Sequence, residues 1–296
     1  MNDGDHPAIE VPAPAKVNLY LHVTGRDDRE YHLLQSLVVF TDFGDTIHVS
    51  VGTEPGPIHL SLTGPFAHLI EGPAEDNLVW RAADGVRHLL GTDRTLRITL
   101  QKNLPVAAGI GGGSADAAAA IRGVAQALGA NLTERDQFDL AARLGADVLA
   151  CLAGRPLYMQ GIGEKVRPTG IPHGFGIVLV NPNQPVATPD IFHRFRQHGA
   201  FTAEENTCPD TTDRSTWLAE LESRHNDLEK PAIDLCPAID EVLAVLKAEP
   251  DILLSRMSGS GATCFGLCAD PQTAHQLAER LSSEHPWWCR GGGLIT

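Results

Sequence analysis

The sequence predicts an α+β fold in two domains, and three observations lead to this. Segments with the β-branched composition of strands alternate with periodic, capped segments that are typical of helices. The chain has 296 residues, enough for two domains. Glycine and proline punctuate residues 154–176, which is typical of a boundary. We divide the chain into an N-terminal domain, residues 1–160, and a C-terminal domain, residues 161–296.

The elements follow in order along the chain. Strands are predicted over Ala15–Val23, Ser36–Phe40, Thr46–Val51, Leu96–Gln101 and Ile177–Val180, with two more around a tight turn within Ile252–Leu267. Helices are predicted over Asn77–Leu90, Ala115–Leu128, Glu134–Leu144 and Gln272–Ser283, and over most of Asn226–Ala248. Thr133 is the expected N-cap of the third helix and Gly145 its end. The polar segment His193–Trp217 is predicted to be an irregular loop or a partly ordered insertion.

The composition limits the class of partner. With 43% hydrophobic and 20% charged residues, the chain predicts an ordinary packed core. The formal net charge of -14 argues against nucleic acid or an anionic membrane as partner, because both require basic surfaces. A small anionic substrate is compatible with it, since local cations and helix N-termini can hold one. We expect a small-molecule substrate and a monomer or weak homodimer.

The cysteines and the N-terminal residues indicate the compartment. The six cysteines show no C-x-x-C pair and no zinc spacing, which favours free thiols. The segment MNDGDHPAIE has no basic region before an apolar stretch, and no run approaches a membrane-spanning length. We therefore expect a cytoplasmic location.

A glycine-rich stretch, LPVAAGIGGGSADAAAA (Leu104–Ala120), leads into an alanine-rich helix. Glycine lets backbone N–H groups approach a phosphate closely, and a helix N-terminus adds free donors. Ser114 would then be the N-cap, or a phosphate or metal ligand. An ordinary flexible turn with a capping serine is the alternative, and the residues alone leave both open. The stretch has no Lys-Ser or Lys-Thr after the glycines, so it is not a Walker A loop, and it lacks the dinucleotide-binding spacing.

The segment Pro105–Ala115 (PVAAGIGGGSA) resembles the second motif of the GHMP kinases, a family named for galactokinase and the homoserine, mevalonate and phosphomevalonate kinases. Two further family motifs occur in the expected order, AKVNLYLHV near the N-terminus and SRMSGSGATCFGL (Ser255–Leu267) near the C-terminus. The resemblance implies an N-terminal domain like ribosomal protein S5 domain 2, a ferredoxin-like C-terminal domain, and a site in the cleft between them.

Within the family, the chain is most similar to the branch that phosphorylates the 2-hydroxyl of 4-diphosphocytidyl-2-C-methyl-D-erythritol in the non-mevalonate isoprenoid pathway. This likeness covers almost the whole chain and implies ATP and Mg²⁺ as cofactors. The segments that carry it are PAKVNLYLHVTGRDDREYHLLQSL (Pro14–Leu37), EDNLVWRAA (Glu75–Ala83), LGADV (Leu144–Val148), GIGE (Gly161–Glu164) and ATPDIF (Ala187–Phe192).

The resemblance assigns the chemistry to two residues. Asp147 is implied as the general base that takes the hydroxyl proton, and Lys16 is implied to stabilise the developing alkoxide and orient the hydroxyl. From the residues alone, Asp147 could simply cap a short helix from Val148, and Lys16 could be a solvated strand-end residue.

The resemblance also implies the binding residues. Tyr31 would stack on the cytosine ring, His32 would read its edge, Phe192 would close the other face, and Asn18 would contact the methylerythritol part. From the residues alone, Tyr31 and His32 read as a half-buried surface element and Phe192 as core. The SGSG turn, Ser258–Gly261, would approach the phosphates. The implied ATP-binding residues are Pro105, Val106, Ala107, Ala108, Gly109, Ile110, Gly111, Gly112, Gly113, Ser114 and Ala115.

The chain departs from the family pattern at two positions. Ala115 stands where the family commonly has a second serine, and Leu149 where it usually has proline. Neither removes a proposed proton-transfer or phosphate-binding group, so activity is expected. Asp116 is expected to complement the helix dipole. The alternatives are a GHMP kinase for another small alcohol, such as homoserine or mevalonate, and a non-catalytic ATP-binding sensor on the same fold.

Overall fold

The computed structural model describes residues 8–205 and 208–296, which form the predicted mixed α+β structure. The strands are β1 (Ile9–Asn18), β2 (His22–Arg26), β3 (His32–Pro55), β4 (Ile58–Thr63), β5 (Arg94–Gln101), β6 (Leu157–Gly161), β7 (Lys165–Pro168), β8 (Gly176–Asn181), β9 (Ile252–Met257), β10 (Cys264–Cys268) and β11 (Trp288–Ile295). The helices are α1 (Leu78–Leu89), α2 (Gly112–Ala127), α3 (Glu134–Leu144), α4 (Ala146–Ala153), α5 (Thr188–His198), α6 (Arg214–Glu222), α7 (Glu229–Leu235), α8 (Ala238–Ala248) and α9 (Pro271–Glu284).

The chain divides into two compact units that interleave along the sequence. The first unit holds the described residues up to Ala15, with Phe43–Val106 and Gly111–Gly154. The second unit holds Lys16–Asp42, Ala107–Ile110 and Arg155–Thr296. Since no single position separates the units, the boundary after residue 160 stays a prediction.

The first unit packs helices α1 to α4 with a sheet. In that sheet β5 runs parallel to β4 and antiparallel to the second half of β3, with Thr46 opposite Gln101. Helix α2 packs against α1 and α4, and its alanines are buried. Gly123 lets α2 lie close to the strands, because a Cβ there would lie 3.0 Å from Val11 Cγ2 in β1 and 3.1 Å from Val49 Cγ2 in β3.

The second unit is built on antiparallel strands in the order β11–β8–β10–β9. The first half of β3 pairs with β2 and β6, and the end of β11 pairs with Phe40 and Thr41. Helices α8 and α9 pack against these strands over a core that includes Val178, Leu243 and Leu277. The turn Ser258–Gly261 lies in the connection between the antiparallel strands β9 and β10.

Elements whose ends are set by local caps agree with the predictions. Helix α1 begins after Asn77, whose side chain accepts the N–H of Val79. Helix α3 begins after Thr133, which forms a capping box with Asp136, and it ends at Gly145. The predicted strands β5 and β8, the β9–β10 hairpin and helix α9 are also confirmed.

Helix α2 differs from the prediction at its start. It begins at Gly112, three residues before the predicted start at Ala115, so Gly112 and Gly113 are helical. Its N-cap is Gly111, in the left-handed conformation and without a side-chain cap, and the prediction of Ser114 as N-cap is wrong.

Several extended segments also differ. The single strand predicted over Ala15–Val23 is two strands, since β1 ends at Asn18 and β2 begins at His22, and β3 merges two predicted strands. Strands β4, β6, β7 and β11 were not predicted. The segment His193–Trp217 is not an irregular loop throughout, because α5 and α6 occupy its ends. Its residues 206 and 207 lie outside the described residues.

The cysteines are free thiols, as predicted. Burial raises the pKa of Cys208 to about 11 and the pKa values of Cys268 and Cys289 to about 12, so these thiols are protonated at neutral pH. None of the helices in the described parts of the chain is long and apolar enough to cross a membrane.

Candidate functional site

The glycine-rich loop, residues 105–115, has a backbone that side chains would disturb. Gly109 and Gly111 have φ of 74° and 62°, and Ala107 has φ of 52°, all in the left-handed region. A Cβ at Gly109 would lie 2.6 Å from the carbonyl oxygen of Ser258 and from the backbone N and O of Gly261. The loop backbone is therefore laid directly against a second backbone segment, and glycine is required at position 109.

That second segment is the turn Ser258–Gly261. The hydroxyl of Ser258 donates to the carbonyl oxygen of Gly109 at 3.1 Å and accepts the N–H of Asn18 at 3.1 Å. The N–H of Thr263 donates to the carbonyl oxygen of Ala108 at 3.2 Å. One serine side chain thus links a residue from each of the other two family motifs.

Asn18 is buried at the end of β1 and presents one unused acceptor. Its Nδ2 donates to Ser36 Oγ at 2.7 Å, and Ser36 Oγ donates in turn to the carbonyl oxygen of Tyr20 at 2.6 Å. The Ser36 hydroxyl donates its only proton to the carbonyl oxygen of Tyr20, so it can only accept a hydrogen bond from Asn18. This fixes the orientation of the Asn18 amide. Asn18 Oδ1 is buried and has no partner among the described residues. A buried acceptor of this kind is costly unless a ligand donates to it.

The start of α2 offers backbone donors. The first N–H groups of any α-helix lack an intrahelical acceptor, and Gly111 has no side chain with which to cap them. Gly112 lies close to a buried cation, since a Cβ there would lie 3.0 Å from Lys102 Nζ. The arrangement provides uncapped donors at the positive end of a 16-residue helix.

A buried ion cluster lies behind this helix start, and the sequence analysis missed it. Lys102 Nζ donates to Asp45 Oδ2, and to Asp116 Oδ2 at 2.8 Å. Asp45 Oδ1 accepts the N–H of Leu104 at 2.8 Å, which ties the loop entry to the cluster. The expectation that Asp116 complements the helix dipole from the first turn is wrong, since Asp116 lies beyond that turn and is bound to Lys102.

The charges of the cluster depend on burial. Desolvation raises the pKa of the Asp116 carboxyl to about 7, the neighbouring Asp45 adds to the rise, and Lys102 opposes it. The pKa of Lys102 is raised, because its two carboxylate partners outweigh the desolvation that acts to lower it. No local pattern marks this cluster in the sequence, since Lys102 lies 57 residues from Asp45.

The two residues with implied catalytic roles lie in different units, Lys16 in the second and Asp147 in the first. Lys16 is 4% exposed, so the alternative of a solvated strand-end residue is wrong. Its N–H donates to the carbonyl oxygen of Ile110 at 2.9 Å, which joins β1 to the glycine loop. Asp147 is in the first turn of α4, whose N-cap is Gly145, so the alternative of Asp147 as a helix cap is also wrong.

The implied cytosine-binding residues are partly brought together. The rings of His32 and Phe192 stack at 4.7 Å and 25°, and Phe192 packs on the core of the second unit. Tyr31 is 58% exposed, and the Arg29 guanidinium lies 5.3 Å from its ring centroid. The pKa of His32 is lowered by burial, with Arg26 adding to the effect, and its Nε2 has no partner in the described parts of the chain.

Residues 8–205 and 208–296 contain no group of three or more His, Cys, Asp or Glu side chains that could hold a metal ion. In kinases Mg²⁺ is bound largely through substrate phosphates and water, with one or two protein carboxylates. No residue of this chain is assigned to Mg²⁺.

The fold and these motifs define a GHMP kinase, and the chain belongs to that family. Residues 77–155 match the GHMP kinases N terminal domain, and residues 212–286 match the GHMP kinases C terminal domain. The family inferred from the three sequence motifs is confirmed.

Relatives within the family are similar over nearly their full length. A protein of Paramagnetospirillum magneticum named 4-diphosphocytidyl-2-C-methyl-D-erythritol kinase is 43% identical over 290 residues, which cover 98% of this chain and 99% of that protein. A protein of Dinoroseobacter shibae with the same name is 47% identical over 281 residues, 93% of this chain and 91% of that protein.

Solved structures show the same fold. A crystal structure of 4-(cytidine 5'-diphospho)-2C-methyl-D-erythritol kinase matches with a TM-score of 0.77 at 32% identity, covering 97% of this chain and all 100% of that chain. Homoserine kinase from Cytophaga hutchinsonii matches with a TM-score of 0.71 at 18% identity, covering 100% of this chain and 95% of that one. The second likeness concerns the fold alone.

Proposed function

We propose that this chain transfers the γ-phosphoryl group of ATP to the 2-hydroxyl of 4-diphosphocytidyl-2-C-methyl-D-erythritol, a step of the non-mevalonate isoprenoid pathway. The observation that carries the proposal is the identity of 43 to 47% with proteins named for this activity, over at least nine-tenths of each chain. The reaction takes place in the cytoplasm, and the chain acts as a monomer or weak homodimer.

The glycine-rich loop binds the ATP phosphates. Supporting this are the left-handed backbone at Gly109 and Gly111 and the uncapped N–H donors at the start of α2, which together suit an anion. Ser114 lies within that first helical turn and contributes its N–H or hydroxyl. Ala115 offers no hydroxyl, so its contribution comes from the backbone.

The substrate alcohol binds at Asn18. The unpartnered Asn18 Oδ1 needs a donor, and a hydroxyl of the methylerythritol part supplies one. The adjoining Ser258 holds the backbone of Asn18, so the acceptor is fixed before substrate arrives.

Proton transfer is assigned to Asp147 and charge stabilisation to Lys16. The Asp147 carboxylate takes the proton of the 2-hydroxyl as the bond from that oxygen to the γ-phosphorus forms. The bond between the γ-phosphorus and its bridging oxygen breaks at the same time, and ADP leaves. The Lys16 ammonium stabilises negative charge on the attacking oxygen. Mg²⁺ bound with ATP neutralises phosphate charge.

The cytosine is recognised by Tyr31, His32 and Phe192. The exposed ring of Tyr31 offers a face for stacking. Because its lowered pKa keeps His32 neutral at pH 7, the imidazole can donate from one nitrogen and accept at the other. Phe192 already stacks on His32 and so completes an aromatic surface.

The test is ADP release when the protein is mixed with ATP, Mg²⁺ and 4-diphosphocytidyl-2-C-methyl-D-erythritol, with mevalonate and homoserine assayed in parallel. Turnover with the cytidine substrate alone is the expected result. Turnover only with mevalonate or homoserine would agree with the assignment of the glycine-rich loop to ATP and would contradict the assignment of a cytosine pocket. Absence of ADP release with all three alcohols, together with ATP binding, would favour the alternative of a non-catalytic ATP-binding sensor.

Asp147→Asn tests the assigned base. The amide keeps the shape of the side chain but cannot take the proton, so we expect kcat to fall about 100-fold or more while ADP binding stays unchanged. Full turnover by this variant would remove Asp147 from the mechanism.

A further inference from the structure

The side-chain amide of Asn226 binds the Ser258–Gly261 turn through backbone carbonyl oxygens. The residue is 5% exposed and lies between α6 and α7 in the second unit. Its Nδ2 donates to the carbonyl oxygens of Met257 and Gly259, both at 2.8 Å, and its Oδ1 accepts the N–H of Leu228 at 2.9 Å. Since the two carbonyls accept and the N–H donates, only one orientation of the amide satisfies all three.

The two carbonyls that Asn226 binds flank Ser258. Ser258 is the residue whose hydroxyl joins Gly109 of the loop to the backbone of Asn18. The fit between turn and loop is tight on both sides, since a Cβ at Gly259 would lie 2.7 Å from the carbonyl oxygen of Gly109. A displaced turn would therefore displace the loop.

Asn226 is itself anchored. The N–H of Leu21 donates to the carbonyl oxygen of His225 at 3.1 Å. The N–H of Asp227 donates to the carbonyl oxygen of Leu21 at 2.9 Å. Leu21 follows β1 by three residues, so the same short segment that carries Asn18 fixes the backbone on both sides of Asn226.

We propose that Asn226 is a positioning residue for the phosphate-binding loop: its amide fixes the Ser258–Gly261 turn, and the turn fixes Gly109. The proposal rests on the proposed function of the loop as the ATP-phosphate site. Its effect reaches the loop through the backbone of the turn and through the hydroxyl of Ser258, which donates to Gly109.

The chain offers a matched control in Asn181. Asn181 is 4% exposed, its Oδ1 accepts the N–H of Asn183 at 2.8 Å, and its Nδ2 donates to Thr263 Oγ1 at 2.9 Å. In Asn181→Asp the Thr263 hydroxyl can rotate and donate to the new carboxylate. In Asn226→Asp the new oxygen faces two carbonyl oxygens that cannot donate, while the bond from Leu228 is kept.

The experiment measures the Kd for ADP by calorimetry, so it does not depend on which alcohol is the substrate. We expect Asn226→Asp to weaken ADP binding about tenfold or more, and Asn181→Asp to stay within about twofold of the wild type. A folded Asn226→Asp protein with wild-type ADP affinity would overturn the proposal. Failure of the proposed function would appear separately, as absence of turnover or ADP binding in the wild type.

A second variant covers the case in which Asn226→Asp does not fold. Asn226→Ser is neutral and small, and it is combined with Ser258→Ala in a double-mutant cycle on the ADP Kd. If Asn226 acts through Ser258, the two effects are less than additive. Fully additive effects, or no effect of Asn226→Ser, would contradict the mechanism.

Discussion

Replacing Gly109 with alanine tests the contact between the loop and the turn most directly. The new Cβ would lie 2.6 Å from three backbone atoms, Ser258 O, Gly261 N and Gly261 O. Ordinary van der Waals contact begins at 3.4 Å, so loop and turn must separate by about 0.8 Å. Neither neighbour is a flexible side chain that could move aside.

Two costs add at this position. Alanine at φ 74° costs roughly 1 kcal/mol through its backbone conformation. Forcing the two backbones apart costs roughly another 1–3 kcal/mol, as for other overpacked sites. We therefore expect Gly109→Ala to lower the free energy of unfolding by about 2–4 kcal/mol. A loop displaced by nearly an ångström should also lower kcat/KM for ATP by about 10- to 100-fold.

Gly129→Ala isolates the first cost. Gly129 has φ 69°, close to that of Gly109, but a Cβ there meets no atom within 4 Å. This control should lose about 1 kcal/mol and keep the kinetics of the wild type. Denaturant titration and ATP kinetics on both variants give the comparison. Equal losses of stability with unchanged ATP kinetics would refute the argument that the turn positions the loop.

Two further predictions concern buried charge. Lys102→Met leaves the Asp45 and Asp116 carboxylates without a counter-ion and should cost roughly 3–5 kcal/mol, whereas Asp116→Asn, which keeps a hydrogen-bond acceptor for Lys102, should cost much less. Denaturant titration checks both, and equal stability of the Lys102 variant and the wild type would show that the cluster is not an ion cluster. The pKa of His22 lies below its usual 6.5, chiefly through burial and then through His225, while Asp227 and Glu205 oppose the shift. His22 binds a proton more readily in the unfolded chain than in the folded one, so the free energy of unfolding decreases as pH falls below about 6.5. Because His22→Gln removes this titrating group, the variant should show a smaller fall in Tm between about pH 7.5 and 5.5. An unchanged slope would assign the acid sensitivity to other groups.

The sequence predicted the features that depend on neighbours along the chain. The capping box from Thr133 to Asp136 spans four residues, and the predicted helix Glu134–Leu144 has the same ends as α3. Family motifs identified the glycine loop, although propensity misplaced the helix start. Glycine is a poor helix former, yet Gly112 and Gly113 form the first residues of α2, so propensity alone places the start of the helix too late.

Features that depend on distant contacts were out of reach. Asn226 is separated from the carbonyls it binds by 31 and 33 residues, and no local pattern distinguishes it from other asparagines. The same holds for Lys102 and its partner Asp45. These contacts exist only after the chain has folded, so their residues follow no period or cap that a sequence reveals.

Hydrogen-bond capacity at Asn18 connects the fold to the choice of substrate. The Ser36 proton is committed to Tyr20, the Asn18 amide donates to Ser36, and the Ser258 hydroxyl donates to Gly109. These bonds use the protons of both serine hydroxyls and one N–H of the Asn18 amide, and Asn18 Oδ1 is left as a buried acceptor without a partner among the described residues. A ligand with a hydroxyl at this point satisfies that acceptor, whereas an ether or carbonyl oxygen would bury two acceptors side by side. The proposed binding of the substrate alcohol at Asn18 would therefore satisfy an acceptor that the described residues leave without a partner.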